Sequence, residues 1–359
     1  MRKCLLLCIL IICLVCNVSA SERYEYDVAT ERLHQSLPSS AERILRNYSL
    51  DSPKDRNTAI RDIILSAIDE NFQTIRNVME MMFRILVVVI LCNLGSFGSD
   101  TNVQRAALMS GSICLMLLCS DDVKGMISVG KNTMDELSIF SSSLLPIMAA
   151  AAASSGSANG ATALYAVTVF FSGLLIKLCN KWIVPMVYCF LALAVSGTVL
   201  ETDRLRKLRE FLDWIIKKSL KWMMYLFTGF LSVSGVLAGS ADAAALKAVK
   251  MTISGMVPVV GGIVSDAADT VLAGAALLKA SAGTLGMIGI LAIFLIPFLK
   301  IGIWFLGFRF TAAISTVIES KLSGCIDAIS QTMGYVLAMV GSCSLMNLLA
   351  CFSLMKTVV

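Results

Sequence analysis

Hydrophobic positions fall into runs long enough to cross a bilayer, at about residues 81–97, 103–119, 139–155, 160–177, 182–200, 222–240, 285–308 and 333–355. A helix needs about 20 mostly apolar residues to span a hydrocarbon core of roughly 30 Å. The pattern therefore predicts an all-α, polytopic helical integral membrane protein of about six to eight spans over residues 81–359. Arg84, Asn93 and Arg105 weaken the first two runs, and SSSLLPIMAAAAASSG in the third is built of small residues suited to close helix packing.

A shorter run opens the chain: Arg2 and Lys3 precede CLLLCILIICLVC, and Val18-Ser19-Ala20 follows as a small-residue cleavage site. Thirteen apolar residues, Cys4 to Cys16, reach only about 20 Å as a helix, too little to span. Residues 1–20 read as a secretory signal peptide cut after Ala20, which places the mature N-terminus outside the cytoplasm. Residues 21–80 then form an extracytoplasmic leader. With 8 Lys or Arg against 11 Asp or Glu, that leader lacks the basic bias of a cytoplasmic loop. Within it Ile60, Ile64, Ala67, Asn71, Ile75, Val78 and Met82 recur at helical spacing while Arg61, Asp62, Asp69 and Arg76 lie off the stripe, predicting an amphipathic helix that leads into the membrane.

Composition agrees with the runs: 57 % hydrophobic residues, 15 % charged residues and a mean hydropathy of +0.79 exclude an ordinary soluble domain. The net charge of +5 is modest, and its placement carries more information. Residues 201–221 hold Arg204, Arg206, Lys207, Arg209, Lys217, Lys218 and Lys221 against four acids, so this loop is expected in the cytoplasm. Five crossings from an external N-terminus also end inside at residue 201. The same count places residues 241–284 outside, 309–332 inside and the C-terminus outside.

Between two firm spans lies MVPVVGGIVSDAADTVLAGAALLKAS, residues 256–281, too polar and glycine-broken for a comfortable span and too apolar for a wet loop. Pro258, Gly261 and Gly262 interrupt a helix, Ser265 or Asp266 can cap a new one, and Val264, Ala268, Val271, Ala275 and Leu278 give it an apolar stripe. Residues 255–281 are thus expected as an outward-facing re-entrant or surface-lying helix. Broken backbone is tolerated at membrane depth where protein or water covers it, which suits a gate, a pore lining or a subunit contact, while simple packing of small residues is the bland reading. Lys300, three residues after Pro297 in LIPFLKIGIW, is an ionisable group inside a span and reads either as snorkelling to the cytoplasmic face or as functionally paired. Pro185 followed by KLREFLDWI at 207–215, and Pro297 followed by KLSGCIDAI at 321–329, form a faint internal repeat, each copy with a helix at the inner face.

No motif supports catalysis. His34 is the only histidine and lies in the leader, Gly261-Gly262 is not followed by the Gly-Lys-Ser/Thr of a phosphate loop, and the eight cysteines beyond the signal peptide lack CxxC spacing. No enzyme activity, cofactor, metal or nucleic-acid partner is expected.

The residues resemble a known family. MVPVVGGIVSDAADTVLAGAALLKASAG followed by PFLKI, together with LLPIMAAAAASSGSANGA and WIVPMVYCFLALAVSG, is similar to the stage III sporulation protein AE family of endospore-forming bacteria over about Met134 to Met355. Pro258, Gly261, Gly262, Asp266, Asp269, Thr270 and Lys279 fall in family order and spacing. The resemblance implies a membrane component of the channel complex between mother cell and forespore. It would sit in the mother-cell membrane beside ring-forming sporulation proteins and a secretion-type ATPase, facing a forespore-side partner across the intermembrane space. The competing class is a secondary transporter for a small solute, for which broken helices and a repeat are also expected.

Overall fold

A computed structural model of the chain describes residues 53–96, 100–144, 158–200, 203–233, 281–318 and 320–357. The signal peptide, most of the leader and the segment 255–280, with Pro258, Gly261, Gly262, Asp266, Asp269, Thr270 and Lys279, lie outside these residues. All regular structure among the described residues is helical: α1 (Pro53–Ser96), α2 (Thr101–Ser143), α3 (Ala158–Leu178), a π-helical turn (Cys179–Ile183) leading into α4 (Val184–Leu200), α5 (Asp203–Val233), α6 (Ser281–Ile318) and α7 (Ser320–Thr357). Five stretches among them are long and apolar enough to cross a membrane: Arg61–Ser96, Thr101–Ser143, Ala166–Ala194, Gly286–Ile318 and Leu322–Phe352. The chain is a helical, multi-pass membrane protein by this measure.

Several expected boundaries dissolve into longer helices. The amphipathic helix of the leader and the span at 81–97 are one helix, α1, so the division at residue 80 falls mid-helix. Its buried stripe is Ile63, Ala67, Asn71, Thr74, Val78, Met81, Ile85 and Val89, rotated by about one residue from the expected one, and Ile64 and Ile75 are exposed on its flank. The turn expected between 119 and 139 is absent because α2 runs unbroken to Ser143. The spans at 160–177 and 182–200 are likewise continuous through the π turn. Pro185 explains that turn: its ring would collide with the carbonyl one α-helical turn earlier, and the wider π winding just upstream relieves the clash without ending the helix.

The basic segment 201–221 is not a loop. From Asp203 it is part of α5, which continues to Val233 into the span expected at 222–240, and α5 is not one of the five membrane-crossing stretches. Most of the inner loop expected at 309–332 is helical, since α6 runs to Ile318 and α7 starts at Ser320, with KLSGCIDAI forming the opening turns of α7 rather than a separate interfacial helix.

The helices alternate in direction. Cys92 meets Gly111 across the α1–α2 hairpin, and Phe305 meets Gly334 across the α6–α7 hairpin. Ser172 and Phe190 of α3 and α4 reach Asn347 and Tyr335, so this pair runs against α7. Phe171 stacks on Phe230 while Gly197 meets Leu205, so α5 runs against α3 and α4. Gly111 packs on Leu322 and Ser141 bonds Asn347, making α2 parallel to α7. With α3 and α4 counted as one continuous helix, each helix therefore reverses its predecessor. Among the described residues before α5, three stretches are long and apolar enough to cross a membrane, where five were expected.

The core is α7. Of its apolar stretch 89 % is buried, and Tyr335, Met339, Val340, Met346 and Cys343 are nearly inaccessible among α2, α4 and α6. Close contact there depends on glycine: Gly289 accepts the Phe140 ring and Gly307 accepts Val78 where a Cβ atom would overlap either side chain. Between helices in lipid, such close packing supplies attraction that the hydrophobic effect no longer provides.

Candidate functional site

Of the residues singled out from the sequence, Pro297 and Lys300 are the two within the described part, and both sit mid-way along α6. Positions 296, 300, 303 and 307 follow the 4-3-4 spacing of one helix face. This is the face on which α1 lies: the Asn71 side-chain amide donates to the Ile296 carbonyl at 3.4 Å, and Val78 and Met82 pack at Gly307. Residue 71 beside 296 and 78 beside 307 make α1 and α6 parallel. Asn71 also donates to the Ala67 carbonyl at 2.7 Å, so its amide closes a turn of α1 while touching the backbone next to the proline. Proline disrupts the hydrogen-bond ladder of the turn around it and leaves carbonyls needing other donors. The carbonyl that Pro297 leaves without its N–H donor is that of Ile293, four residues earlier; Asn71 adds a bond to the neighbouring Ile296 carbonyl, and Thr74 continues the polar seam one turn on.

Lys300 lies half-buried on the same face, and among the described residues it forms no ion pair. The outer side of α1 at this level is charged. Glu80 pairs with Arg76 at 3.6 Å and with Arg84 at 3.7 Å in an exposed ladder, interleaved with exposed Phe72, Met79 and Phe83. Each exposed pair contributes at most about 1 kcal/mol, so the ladder matters for its polarity and not for stability. The parallel arrangement sets the charged half of α1 beside the apolar middle of α6, while the apolar half of α1 lies further along the axis.

Three further polar contacts were not singled out in the sequence. Asn347 accepts hydrogen bonds from Ser141 at 2.7 Å and Ser172 at 3.2 Å and donates to the Cys343 carbonyl at 3.0 Å, joining α2, α3 and α7. The Tyr335 hydroxyl donates to Asp213, which also holds Lys217 at 2.7 Å, fastening α5 to the core. Arg309 pairs with Asp327, which accepts from Gln331 at 2.8 Å, near the α6–α7 turn. The available signal was the faint repeat: Asp213 and Asp327 are the same position of KLREFLDWI and KLSGCIDAI. In both copies the carboxylate holds the residue four positions on and one side chain from another helix. For Asn347 the signal was a lone amide in SLMNLLA. Among the described residues no group of His, Cys, Asp or Glu is arranged to hold a metal ion, and the cysteines are unbridged.

The pattern that defines the family described as "Stage III sporulation protein AE" matches residues 46–357. Over 270 residues the chain is 28 % identical to the stage III sporulation protein AE of Bacillus subtilis (strain 168), covering 73 % of this chain and 66 % of that protein, just under two thirds of its length. No solved structure matches the chain.

Proposed function

Since the chain belongs to the stage III sporulation protein AE family, and so has a role in sporulation, we propose that it is a membrane component of the channel complex between mother cell and forespore. In this reading it acts without catalysis or cofactor in the mother-cell membrane, with its mature N-terminus and residues 255–281 facing the intermembrane space. Its partners would be ring-forming stage III sporulation proteins, a secretion-type ATPase and a forespore-side protein.

The observation that carries the proposal is the polar strip at the middle of α6. Lys300 lies 14 residues from Gly286 and 18 from Ile318, the ends of this stretch, or about 21 Å and about 27 Å at 1.5 Å per residue. Lys300 thus stands near the middle of an apolar stretch, where a charge favours a polar partner or water beside it. A lysine and the charged half of α1 at that depth require protein or water beside them instead of lipid. A subunit contact or a hydrated passage within an assembly provides that environment. The starts of α1 and α6 and the end of α5 lie at one end of the bundle.

Purification of the native complex from sporulating cells tests this reading. Co-purification of ring-forming and ATPase components is expected. A chain recovered alone that moves a small solute across liposome membranes would instead establish the secondary-transporter alternative.

A further inference from the structure

Two helices carry exposed charge at membrane depth. Phe171 stacks on Phe230 and Gly197 meets Leu205, so α5 runs antiparallel along the membrane-crossing stretch Ala166–Ala194, with Lys218 level with its middle part. Ile216, Leu220, Met223 and Phe227 bury one side of α5, while Lys207, Phe211, Trp214 and Lys218 are exposed on the other. On α1, Asp69, Phe72, Arg76, Met79 and Glu80 are exposed in the same way beside the apolar middle of α6. Charge at such depth is costly unless protein or water covers it. The two stripes belong to different sides of the protomer, because α1 packs on α2 and α6 whereas α5 packs on α3, α4 and α7.

The stripes agree in spacing, sign and depth. Asp69 and Glu80 are 11 positions apart, and so are Lys207 and Lys218, a separation of about three turns that keeps each pair on one helix face. Two sets of contacts fix the depth. Val78 packs at Gly307 of α6, and Asp213 accepts from Tyr335, the neighbour of Gly334, which meets Phe305 of α6. Val78 and Asp213 are therefore level to within about one turn. Since α1 runs along α6 and α5 runs against it, counting outward from that level brings Glu80 to the height of Lys207 and Asp69 to that of Lys218. Between these ends, Arg76 and Met79 fall at the level of Phe211 and Trp214, whose rings stack with centroids 6.2 Å apart. Among the described residues Asp69, Lys207 and Lys218 form no ion pair, and Glu80 holds Arg76 and Arg84 only through exposed contacts of 3.6 and 3.7 Å.

We propose that the α5 stripe docks on the α1 stripe of a second copy of this chain, with Lys218 against Asp69, Lys207 against Glu80, and Arg76 over the stacked rings of Phe211 and Trp214. A guanidinium is attracted to such aromatic faces, so the one cation inside the acidic stripe meets rings and not a lysine. Copies inserted the same way in one membrane share their depth, and two surfaces can meet there only if they agree level by level. The two stripes are different surfaces, which makes the contact heterologous: each copy offers α5 to one neighbour and α1 to another, and a ring results where the rotation closes. This contact requires only that copies share a membrane and an orientation, and it is independent of the channel proposal.

The test co-expresses two differently tagged full-length chains in one membrane, both with the exposed Cys114 and Cys189 changed to serine. One carries Met79→Cys and the other Phe211→Cys, and the membranes are oxidised with copper phenanthroline. A disulfide-linked mixed dimer is expected, several-fold more abundant than the product of Leu94→Cys with Phe211→Cys, since Leu94 lies 15 positions beyond Met79, or about 22 Å along α1. Asp69→Lys/Glu80→Lys in the first chain should lower the mixed dimer several-fold, and Lys207→Glu/Lys218→Glu in the second should restore it. Where charge reversal lowers abundance, Asp69→Asn/Glu80→Gln decides through the same loss of cross-linking. Absence of the mixed dimer overturns the proposal, as does an equal yield from Leu94→Cys, which marks random collision. A stronger product between two copies of Met79→Cys also overturns it, by showing an α1–α1 contact. Charge changes that leave cross-linking intact, or a loss that the reciprocal reversal does not repair, overturn it as well.

Discussion

Two apolar hairpins in this protein meet different fates. Over an apolar 18-residue window of each helix, 89 % of α7 and 50 % of α6 are buried, against 22 % of α1 and 28 % of α2. Phe83, Leu91, Leu94 and Leu117 project from α1 and α2 with 62 to 72 % of their surface exposed. Gly111 of α2 packs level with Leu322 at the start of α7, so the ten residues of α2 before it carry this hairpin about 15 Å past the α6–α7 turn. Similar hydropathy thus serves two ends, one hairpin leaving its apolar side chains exposed and the other forming the centre against which the rest of the chain packs. Apolar length alone does not distinguish a lipid-facing helix from a buried one. Position in the bundle does: α7 lies where Asn347 can accept from Ser141 of α2 and Ser172 of α3 at once, a bond set that joins helices to each other.

The comparison can be broken most directly at Gly289. Leucine there overlaps the Phe140 ring, and overpacking of this kind costs about 3 kcal/mol or more. Gly289→Leu is expected to abolish recovery of monodisperse protein from detergent extracts. A variant with unchanged yield and melting temperature would show that α2 does not close on α6 as described. Next in size is a matched pair of truncations. Leu337→Ala, in the buried hairpin, is expected to lower stability by about 2–4 kcal/mol, while Leu117→Ala in the exposed one should stay within about 0.5 kcal/mol. Thermal unfolding of both in the same detergent decides, and equal effects would remove the distinction drawn between the hairpins.

Asn347→Leu sharpens the role of the bond set on α7. It removes the acceptor shared by Ser141 and Ser172, at a cost of about 1 kcal/mol, and adding Ser141→Ala with Ser172→Ala should recover part of that loss. A single and a triple variant with the same melting temperature would show that the node is not energetically coupled. The smallest effect on stability is expected at Lys300. Lys300→Met removes a charge from the middle of α6, so abundance and melting temperature should change by no more than about 0.5 kcal/mol, while spore yield collapses. Normal spore yield at normal protein level would remove Lys300 from the proposed function.

The candidate site was legible in part. Pro297 and Lys300 stood out because a proline and a charge are conspicuous in an apolar run, and the same signal drew attention to residues 255–281. Asn71 was placed on the apolar stripe of its helix, yet its purpose was invisible, because the carbonyl it reaches lies 225 positions away. The Asp213–Tyr335 contact was hidden for the same reason, although the repeat had already aligned Asp213 with Asp327.

Helical class and the approximate positions of the apolar segments follow from local quantities, hydropathy and charge summed over a window, and these survive any packing. Helix continuity did not follow. Pro185 and the basic start of α5 break a hydropathy profile without breaking a helix, because backbone bonding can absorb a proline through a π turn and an amphipathic helix tolerates charge on one face. The choice of which apolar hairpin stays exposed, and the parallel placement of the charged half of α1 against the middle of α6, belong to the tertiary structure alone. They arise where Gly289 and Gly307 admit Phe140 and Val78, contacts between residues far apart in the chain that no local window can contain.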